Sequence, residues 1–309
     1  MPYPPTMWAT LNERPRLAPG LGQLLSFWGG LTFPSTVRCM DLPAELSAYE
    51  STLTAMIRPS LEMIPVRVAA PQPPLATKLG GSPDLPPGTA WPAGADGSPL
   101  PLTFQVNFTV LAERFPDLLP WPVGGGLLQF FHDRSSARTL IHRDLAALRS
   151  ATDGPRHDAE YRLDPVSKGC FPDQPCDYRR FWAVRDTLGP QHTALLDAWA
   201  RQFDPAPHQL GGGADWYQGP GYWQGWAQDQ GLDPLDLYPG DDDGEDDDEY
   251  EAKYEQAQQN AEDRALRENW QLVFQYTPTQ HTGRYYFLAP PGAAGGWDLD
   301  RIQAVFQDH

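Results

Sequence analysis

The chain has 309 residues, of which 40% are hydrophobic, so it is long enough and apolar enough to bury a large core. Its formal net charge of −17 disfavours a nucleic-acid partner, since binding to phosphates normally needs a basic surface. Its only cysteines are Cys39, Cys170 and Cys176, and it has no secretory signal or run of about 20 apolar residues, so we predict a cytoplasmic protein without disulfides or a membrane partner.

The first predicted elements are a helix and a strand. Apolar residues recur at helical spacing from Asp41 to Ile57, and Asp41 is a suitable N-cap. Residues 60–69 have the composition of a strand, in which Pro65 indicates an edge position or a bend. We assign residues 1–59 to an N-terminal extension and helix.

The tripeptide Leu-Gly-Gly occurs twice, at residues 79–81 and 210–212, and strand-like segments follow each copy. The predicted strands lie at 101–108 and 125–133 after the first copy, and at 270–276 and 283–290 after the second. We interpret the glycines as close-approach turns between strands. A phosphate cradle is disfavoured because prolines follow the first copy and remove amide donors.

Matching residues follow both copies in the same order, whereas the connecting loops differ in length, as in a duplicated unit with divergent loops. We therefore predict an α+β fold, mostly antiparallel β, with two pseudo-repeated β units packed together and a few peripheral helices. Within a domain at 60–309, the first repeat spans about residues 60–150 and the second about 204–309. Further short helices are predicted at 140–154 and 190–202.

Acidic residues are concentrated in the second predicted repeat. Between Asp233 and Asp263 there are 14 acidic residues and one lysine, a net −13 that leaves −4 for the rest of the chain. The run lies in an insertion at about 229–268. A helix is predicted from about Asp248 to Glu268, because acidic residues near its start and arginines near its end suit the helix dipole.

Motifs for catalysis or metal binding are weak. His142-Arg143-Asp144-Leu145 is similar to a kinase catalytic loop, but Arg149 stands where that loop needs Asn, and Asp-Phe-Gly does not follow. Cys170 and Cys176 have five residues between them, more than zinc sites usually leave. We therefore predict free thiols, no metal site and no cofactor.

Polar residues near the two Leu-Gly-Gly copies form a candidate cleft between the repeats. A lysine, two aspartates and a histidine are suited to acid–base chemistry, although such residues also cap turns. The candidate cleft residues are Lys78, Asp84, His208 and Asp215.

Short motifs recur in a fixed order through about residues 60–309. The first repeat contains Lys78-Leu-Gly-Gly81, Trp91-Pro92, Phe104-Gln105-x-Asn107 and Gly126-Leu-Leu-Gln-Phe-Phe131, and the second contains His208-x-Leu-Gly-Gly212, Trp270-x-Leu-x-Phe-Gln275 and Gly283-x-x-Tyr-Phe287. Together they resemble the YwqG-like family, a bacterial family of unknown function. The resemblance implies a mostly β, duplicated fold with no accepted catalytic residues. It also implies an immunity or antitoxin role, because family members are often encoded near toxin systems.

These observations give one main functional hypothesis and two alternatives. The main hypothesis is a non-enzymatic cytoplasmic protein-binding protein, an immunity protein that neutralises a bacterial toxin with a basic surface. Acidic residues would steer association, and Trp223 and Trp226 would anchor the partner. The steering residues are Asp241, Asp242, Asp243, Glu245, Asp246, Asp247 and Asp248. The alternatives are a small-ligand-binding protein or hydrolase that uses the candidate cleft, and a scaffold within a larger assembly.

Overall fold

One antiparallel sheet of ten strands forms the main part of the fold. The computed structural model describes residues 42–133, 136–155, 159–171, 175–218, 221–232, 247–278 and 283–308. For residues 175–180, 247–252, 254 and 255 it describes the backbone alone.

The two longest strands, β1 (Arg58–Arg67) and β8 (Tyr161–Cys170), pair along their whole length in the middle of the sheet. The other strands of this sheet are β2 (Lys78–Leu79), β4 (Leu102–Asn107), β5 (Leu127–His132), β6 (Ala137–His142), β9 (Gln209–Gly211), β10 (Gln271–Tyr276), β11 (Arg284–Ala289) and β12 (Gln303–Gln307). Their order is β12-β11-β10-β9-β1-β8-β2-β4-β5-β6, and β3 (Asp84–Leu85) and β7 (Arg149–Ser150) form a separate pair. The predicted mostly antiparallel β class is confirmed.

Helices connect several of the strands. They are α1 (Glu50–Met56), α2 (Phe108–Arg114), α3 (Pro175–Thr187), α4 (Pro190–Ala200), α5 (Tyr222–Asp229) and α6 (Asp247–Arg267). The predicted N-terminal helix is a 3-10 helix at Ala44–Tyr49 that continues into α1, and its proposed cap Asp41 lies outside the described residues. The helices α4 and α6 lie where helices were predicted.

The helix predicted at 140–154 is wrong. Residues Ala137–His142 pair with β5 instead, and Arg149–Ser150 pair with β3. The helix-favouring stretch between them contains only a turn, closed by the Leu148 N–H and the Leu145 carbonyl at 3.2 Å. It is too short to nucleate a helix against two flanking strand pairings.

The central strand β8 was not predicted, because Pro165 and Gly169 interrupt its alternating pattern. Proline is tolerated here because the neighbouring strand β2 has already ended. The Leu163 N–H, which points away from β1, makes the last bond on that side, to the Thr77 carbonyl at 3.1 Å. The nitrogen of Pro165 points toward the same unpaired edge, so its missing hydrogen breaks no ladder.

The sheet is nearly closed, so that strands near its two ends face each other. The ring of Phe104 on β4 lies 4.7 Å from Phe274 on β10 and 5.1 Å from Phe287 on β11, between centroids. Phe130 on β5 lies 4.9 Å from Tyr285 on β11. These edge-on and tilted aromatic contacts form the core inside the sheet.

The paired glycines of both Leu-Gly-Gly copies have a left-handed backbone, with φ between 63° and 73°. A Cβ on Gly81 would lie 2.5 Å from Cδ of Glu160, and one on Gly212 would lie 2.8 Å from Cβ of Cys170. Both turns therefore need glycine for conformation and for space. The interpretation as close-approach turns is confirmed.

Candidate functional site

A buried network of polar side chains surrounds Asp84. Its carboxylate accepts hydrogen bonds from the Ser150 hydroxyl at 2.7 Å, the Leu75 N–H at 2.8 Å and the Gln105 amide at 2.6 Å. The amide of Gln129 donates to the Gln105 side-chain oxygen at 2.7 Å and to the Asp84 carbonyl at 2.9 Å. Since Asp84 is fully buried, these bonds replace its hydration and fix the β3–β7 pair to the sheet.

A second network surrounds Asp215. Its N–H donates to the Gln275 side-chain oxygen at 2.8 Å, and its carboxylate forms an ion pair with Arg284 at 2.5 Å. The Tyr286 hydroxyl donates to the Asp215 carbonyl at 2.5 Å, and burial raises the pKa of this hydroxyl. These bonds hold the loop after the second Leu-Gly-Gly against β10 and β11.

Lys78 forms a buried ion pair. Its Nζ lies 3.2 Å from Oε1 of Glu160, and the two side chains are 2% and 14% exposed. The same oxygen of Glu160 accepts the Gln72 N–H at 3.1 Å. A buried pair of this kind costs several kcal/mol if one partner alone is removed, so Lys78 and Glu160 depend on each other.

His208 is buried against β10 and is uncharged at neutral pH. Its ring stacks on Tyr276 with 5.3 Å between centroids, and its Nδ1 accepts the Thr277 N–H at 3.4 Å. Burial, and secondarily the positive charge of Arg284, lowers the pKa of His208 to about 4. The remaining ring nitrogen, Nε2, therefore carries the proton and can donate a hydrogen bond.

The four candidate cleft residues form two separate pairs. Lys78 is directly opposite Gln105, which bonds to Asp84. His208 accepts from the Thr277 N–H, and the Thr277 hydroxyl accepts from Arg284, the ion-pair partner of Asp215. Among the described residues no hydrogen bond or ion pair connects one pair with the other. The charged groups bond to other partners instead: Lys78 to Glu160, Asp84 to Gln105 and Asp215 to Arg284.

Trp223 and Trp226 lie on α5 and are buried. They pack with apolar side chains of α6 and the sheet, and the Trp226 indole N–H donates to Glu268 Oε1 at 2.9 Å. At 6% and 5% exposure, the two side chains offer little surface to a partner that approaches the folded chain. Their burial does not fit the predicted role as anchors, because the Gly- and Gln-rich segment forms an amphipathic helix and not an exposed loop.

The predicted steering residues are mostly outside the described part of the chain. Asp241, Asp242, Asp243, Glu245 and Asp246 lie there, while Asp247 and Asp248 begin α6.

The far end of α6 is fixed to the body of the fold. Nη2 of Arg301 lies 2.6 Å from Oδ2 of Asp229 and 3.1 Å from Oε2 of Glu268, the residue just after the helix. The Arg301 guanidinium also lies over the Trp270 ring, 5.8 Å from its centroid. The helix that contains the second half of the acidic run is thus fixed at its C-terminal end.

Sequence reasoning missed three buried glutamines, Gln105, Gln129 and Gln275, on which both networks depend. The repeated Phe-Gln pair on β4 and β10 is a signal that could have found Gln105 and Gln275, whereas Gln129 follows a leucine and lies outside that pattern. Nε2 of His142 lies 3.1 Å from the Gln129 side-chain oxygen, and burial lowers the pKa of His142.

Comparison with known families places the first network within a recognised domain. Residues 77–152 match the model of DUF1963, a domain of unknown function. The match begins at β2 and ends just after β7, so it contains Asp84, Gln105 and Gln129 but not β8. No curated protein matches the chain significantly.

Neither a metal-binding cluster nor a membrane-spanning helix is present in the described ranges. There, no three side chains of His, Cys, Asp or Glu lie close enough together to hold a metal ion. No described helix has the length and apolar character needed to cross a bilayer. Cys170 is buried, with Sγ 3.4 Å from the Gly213 carbonyl, whereas Cys39 and the Cys176 side chain lie outside the description.

Proposed function

We propose that this chain is a non-enzymatic cytoplasmic protein-binding protein, an immunity protein that neutralises a bacterial toxin with a basic surface. The uneven distribution of charge carries the proposal, because the run from Asp233 to Asp263 holds a net −13 of the total −17. The second half of the run lies in α6, and Arg301 fixes the far end of this helix to the fold. Charge that is concentrated in a fixed helix and in the segment before it attracts a basic protein and speeds association.

The partners of the candidate acid–base groups support binding over hydrolysis. Lys78 is paired with Glu160, and Asp215 is paired with Arg284. Asp84 is fully buried and bonded to Ser150 and other donors. A general acid or base must reach the substrate, and Lys78 and Asp84 are buried with their partners, while the half-exposed Asp215 carboxylate is held by Arg284.

We further propose that the two halves of the sheet are copies of one YwqG-like unit. The match of residues 77–152 to DUF1963 is compatible with this, and the strand pairing supports it. Leu79 is opposite Phe104, and Leu210 is opposite Phe274. A register shift immediately precedes each of these phenylalanines.

The central strands extend the proposed duplication. The N–H of Met63 on β1 donates to the His208 carbonyl at 2.8 Å, and that of Leu163 on β8 donates to the Thr77 carbonyl at 3.1 Å. Each of these residues is followed two positions later by a proline. On this basis the second repeat begins at β8 and not near residue 204.

The function can be tested by isolating the partner. The tagged full chain is purified from its native host, the bound protein is identified and produced separately, and its association rate is measured at low and physiological salt. The test variant replaces six aspartates by asparagine: Asp241, Asp242, Asp243, Asp246, Asp247 and Asp248. We expect association about 10-fold slower at low salt and a weaker salt dependence, because steering is lost.

The control variant removes the same charge from exposed positions elsewhere. It neutralises Glu45, Glu50, Glu113, Asp117, Asp186 and Asp204. This variant should keep most of the association rate and its salt dependence. Equal rates for the wild type and the acidic-run variant would refute steering by the run, and the absence of any co-purified basic protein would refute the proposed function.

A further inference from the structure

Three aliphatic side chains are exposed in the middle of the large sheet. Ile64, Val66 and Val166 are 41%, 36% and 46% exposed. They share one face, because Val166 lies directly opposite Glu62 and side chains two apart along β1 point the same way. We call them the central patch. Arg162 and Asp164 lie on the same face, directly opposite Val66 and Ile64, so a molecule that covers the central patch meets both aliphatic and charged side chains.

A groove of 180 Å³ lies beside the central patch. It is lined by Glu62, Met63, Ile64 and Pro65 of β1 and by Ala206, Pro207 and His208. The groove forms because the segment before β9 leaves β1 after the His208 carbonyl has accepted the Met63 N–H. A cavity of about 150 Å³ holds one benzene molecule, so this groove has room for one aliphatic side chain.

Glu62 lies at the groove without a cation. It is half-buried, and within the described ranges it has no ion pair. Asp164, on the same face, differs in having Arg162 as its partner, with Nε 2.5 Å from the carboxylate. A half-buried carboxylate beside aliphatic walls is best neutralised by a cation that arrives with a ligand.

His208 adds a hydrogen-bond donor to the groove. Its Nδ1 is bonded to the Thr277 N–H, so the neutral ring has Nε2–H left to donate. A ligand that suits the groove therefore carries an acceptor for this N–H, a cation for Glu62 and an aliphatic group for the walls. A peptide with an aliphatic residue next to Lys or Arg has all three, since its backbone carbonyl is the acceptor.

We propose that the groove and the central patch bind an extended segment of the partner protein in which an aliphatic residue adjoins a Lys or Arg. The aliphatic side chain enters the groove, the cation pairs with Glu62, and a backbone carbonyl accepts from His208. A small molecule would fill the groove and leave the central patch in water, whereas a protein segment covers both. This inference rests on the proposed function, since it assigns the contact surface for the same basic partner.

The test uses the full chain with labelled isoleucine and valine methyl groups, observed by NMR. The probes are two capped tetrapeptides, acetyl-Gly-Leu-Lys-Gly-amide and acetyl-Gly-Leu-Glu-Gly-amide. We expect the lysine peptide to shift the methyl signals of Ile64, Val66 and Val166 and to bind about fivefold more tightly than the glutamate peptide. Glu62→Gln should abolish this preference, and Glu50→Gln, at an exposed site elsewhere, should retain it.

Absent methyl shifts, equal affinity for both peptides, or shifts confined to other regions would overturn the proposal. Binding of the isolated partner to patch variants tests this surface separately from the protein-binding function. Ile64→Ser with Val166→Ser should weaken partner binding at least 10-fold, while Val123→Ser, at another exposed valine, should not. If the partner binds the patch variant as tightly as the wild type, the assigned binding surface is wrong and the protein-binding function still stands.

Discussion

His208 should make the protein less stable in mild acid. In the folded chain its pKa is lowered from 6.5 to about 4, chiefly by burial. The unfolded ring binds a proton below about pH 6.5 and the folded ring does not, so the free energy of unfolding falls as the pH drops from 6.5 toward 4. For this shift, the part of the loss due to His208 between pH 7 and pH 5 is about 2 kcal/mol.

Urea unfolding of the wild type and His208→Gln, followed by tryptophan fluorescence, measures this effect. The stability advantage of the wild type over the variant should shrink by about 2 kcal/mol from pH 7 to pH 5, because the variant has no ring to protonate. His192→Gln, at an exposed position on α4, is the control and should leave the pH dependence unchanged. An advantage that is the same at both pH values would show that His208 is not held neutral by burial.

Two further predictions concern the turn and the ion pair beside Glu160. Gly81→Ala should lower the free energy of unfolding in urea by at least 1 kcal/mol more than Gly88→Ala does. Both glycines have positive φ, but only at Gly81 would the new Cβ meet Glu160. Equal losses in the two variants would contradict the close approach. Lys78→Met should cost about 3 kcal/mol because it leaves Glu160 without its cation, and Lys78→Met with Glu160→Gln should recover most of that loss. A double variant no more stable than the single one would show that the pair is not the cause.

The sequence predicts the parts of the fold that local patterns determine. Strands β4, β5, β10 and β11 are placed correctly, because each is a short run rich in aliphatic and aromatic residues and turns bound it. Strand β8 is missed because its proline is tolerated only where β2 has ended, which is a property of the assembled sheet. The predicted helix at 140–154 is wrong for a similar reason, since pairing with β5 and β3 outweighs local helix propensity.

The candidate site is harder to predict than the fold. The sequence places Lys78, Asp84, His208 and Asp215 near the two Leu-Gly-Gly copies, but no local pattern shows which groups pair with one another. The central patch is also hidden, since Val166 meets Glu62 only through a pairing across about 100 residues of chain. A burial pattern such as that of Trp223 depends on whether a Gly- and Gln-rich segment forms a helix, and composition alone does not decide this.

The position of β8 between β1 and β2 has a consequence for the chain during synthesis. One edge of β2 pairs with β4, and the other edge stays unpaired until β8 has been synthesised, because β8 begins about 80 residues later along the chain. At about 5–20 residues per second, a ribosome needs several seconds to make that stretch. During this interval the first strands carry an unpaired, aggregation-prone edge, so conditions that slow translation through residues 80–160 should increase the demand for chaperones.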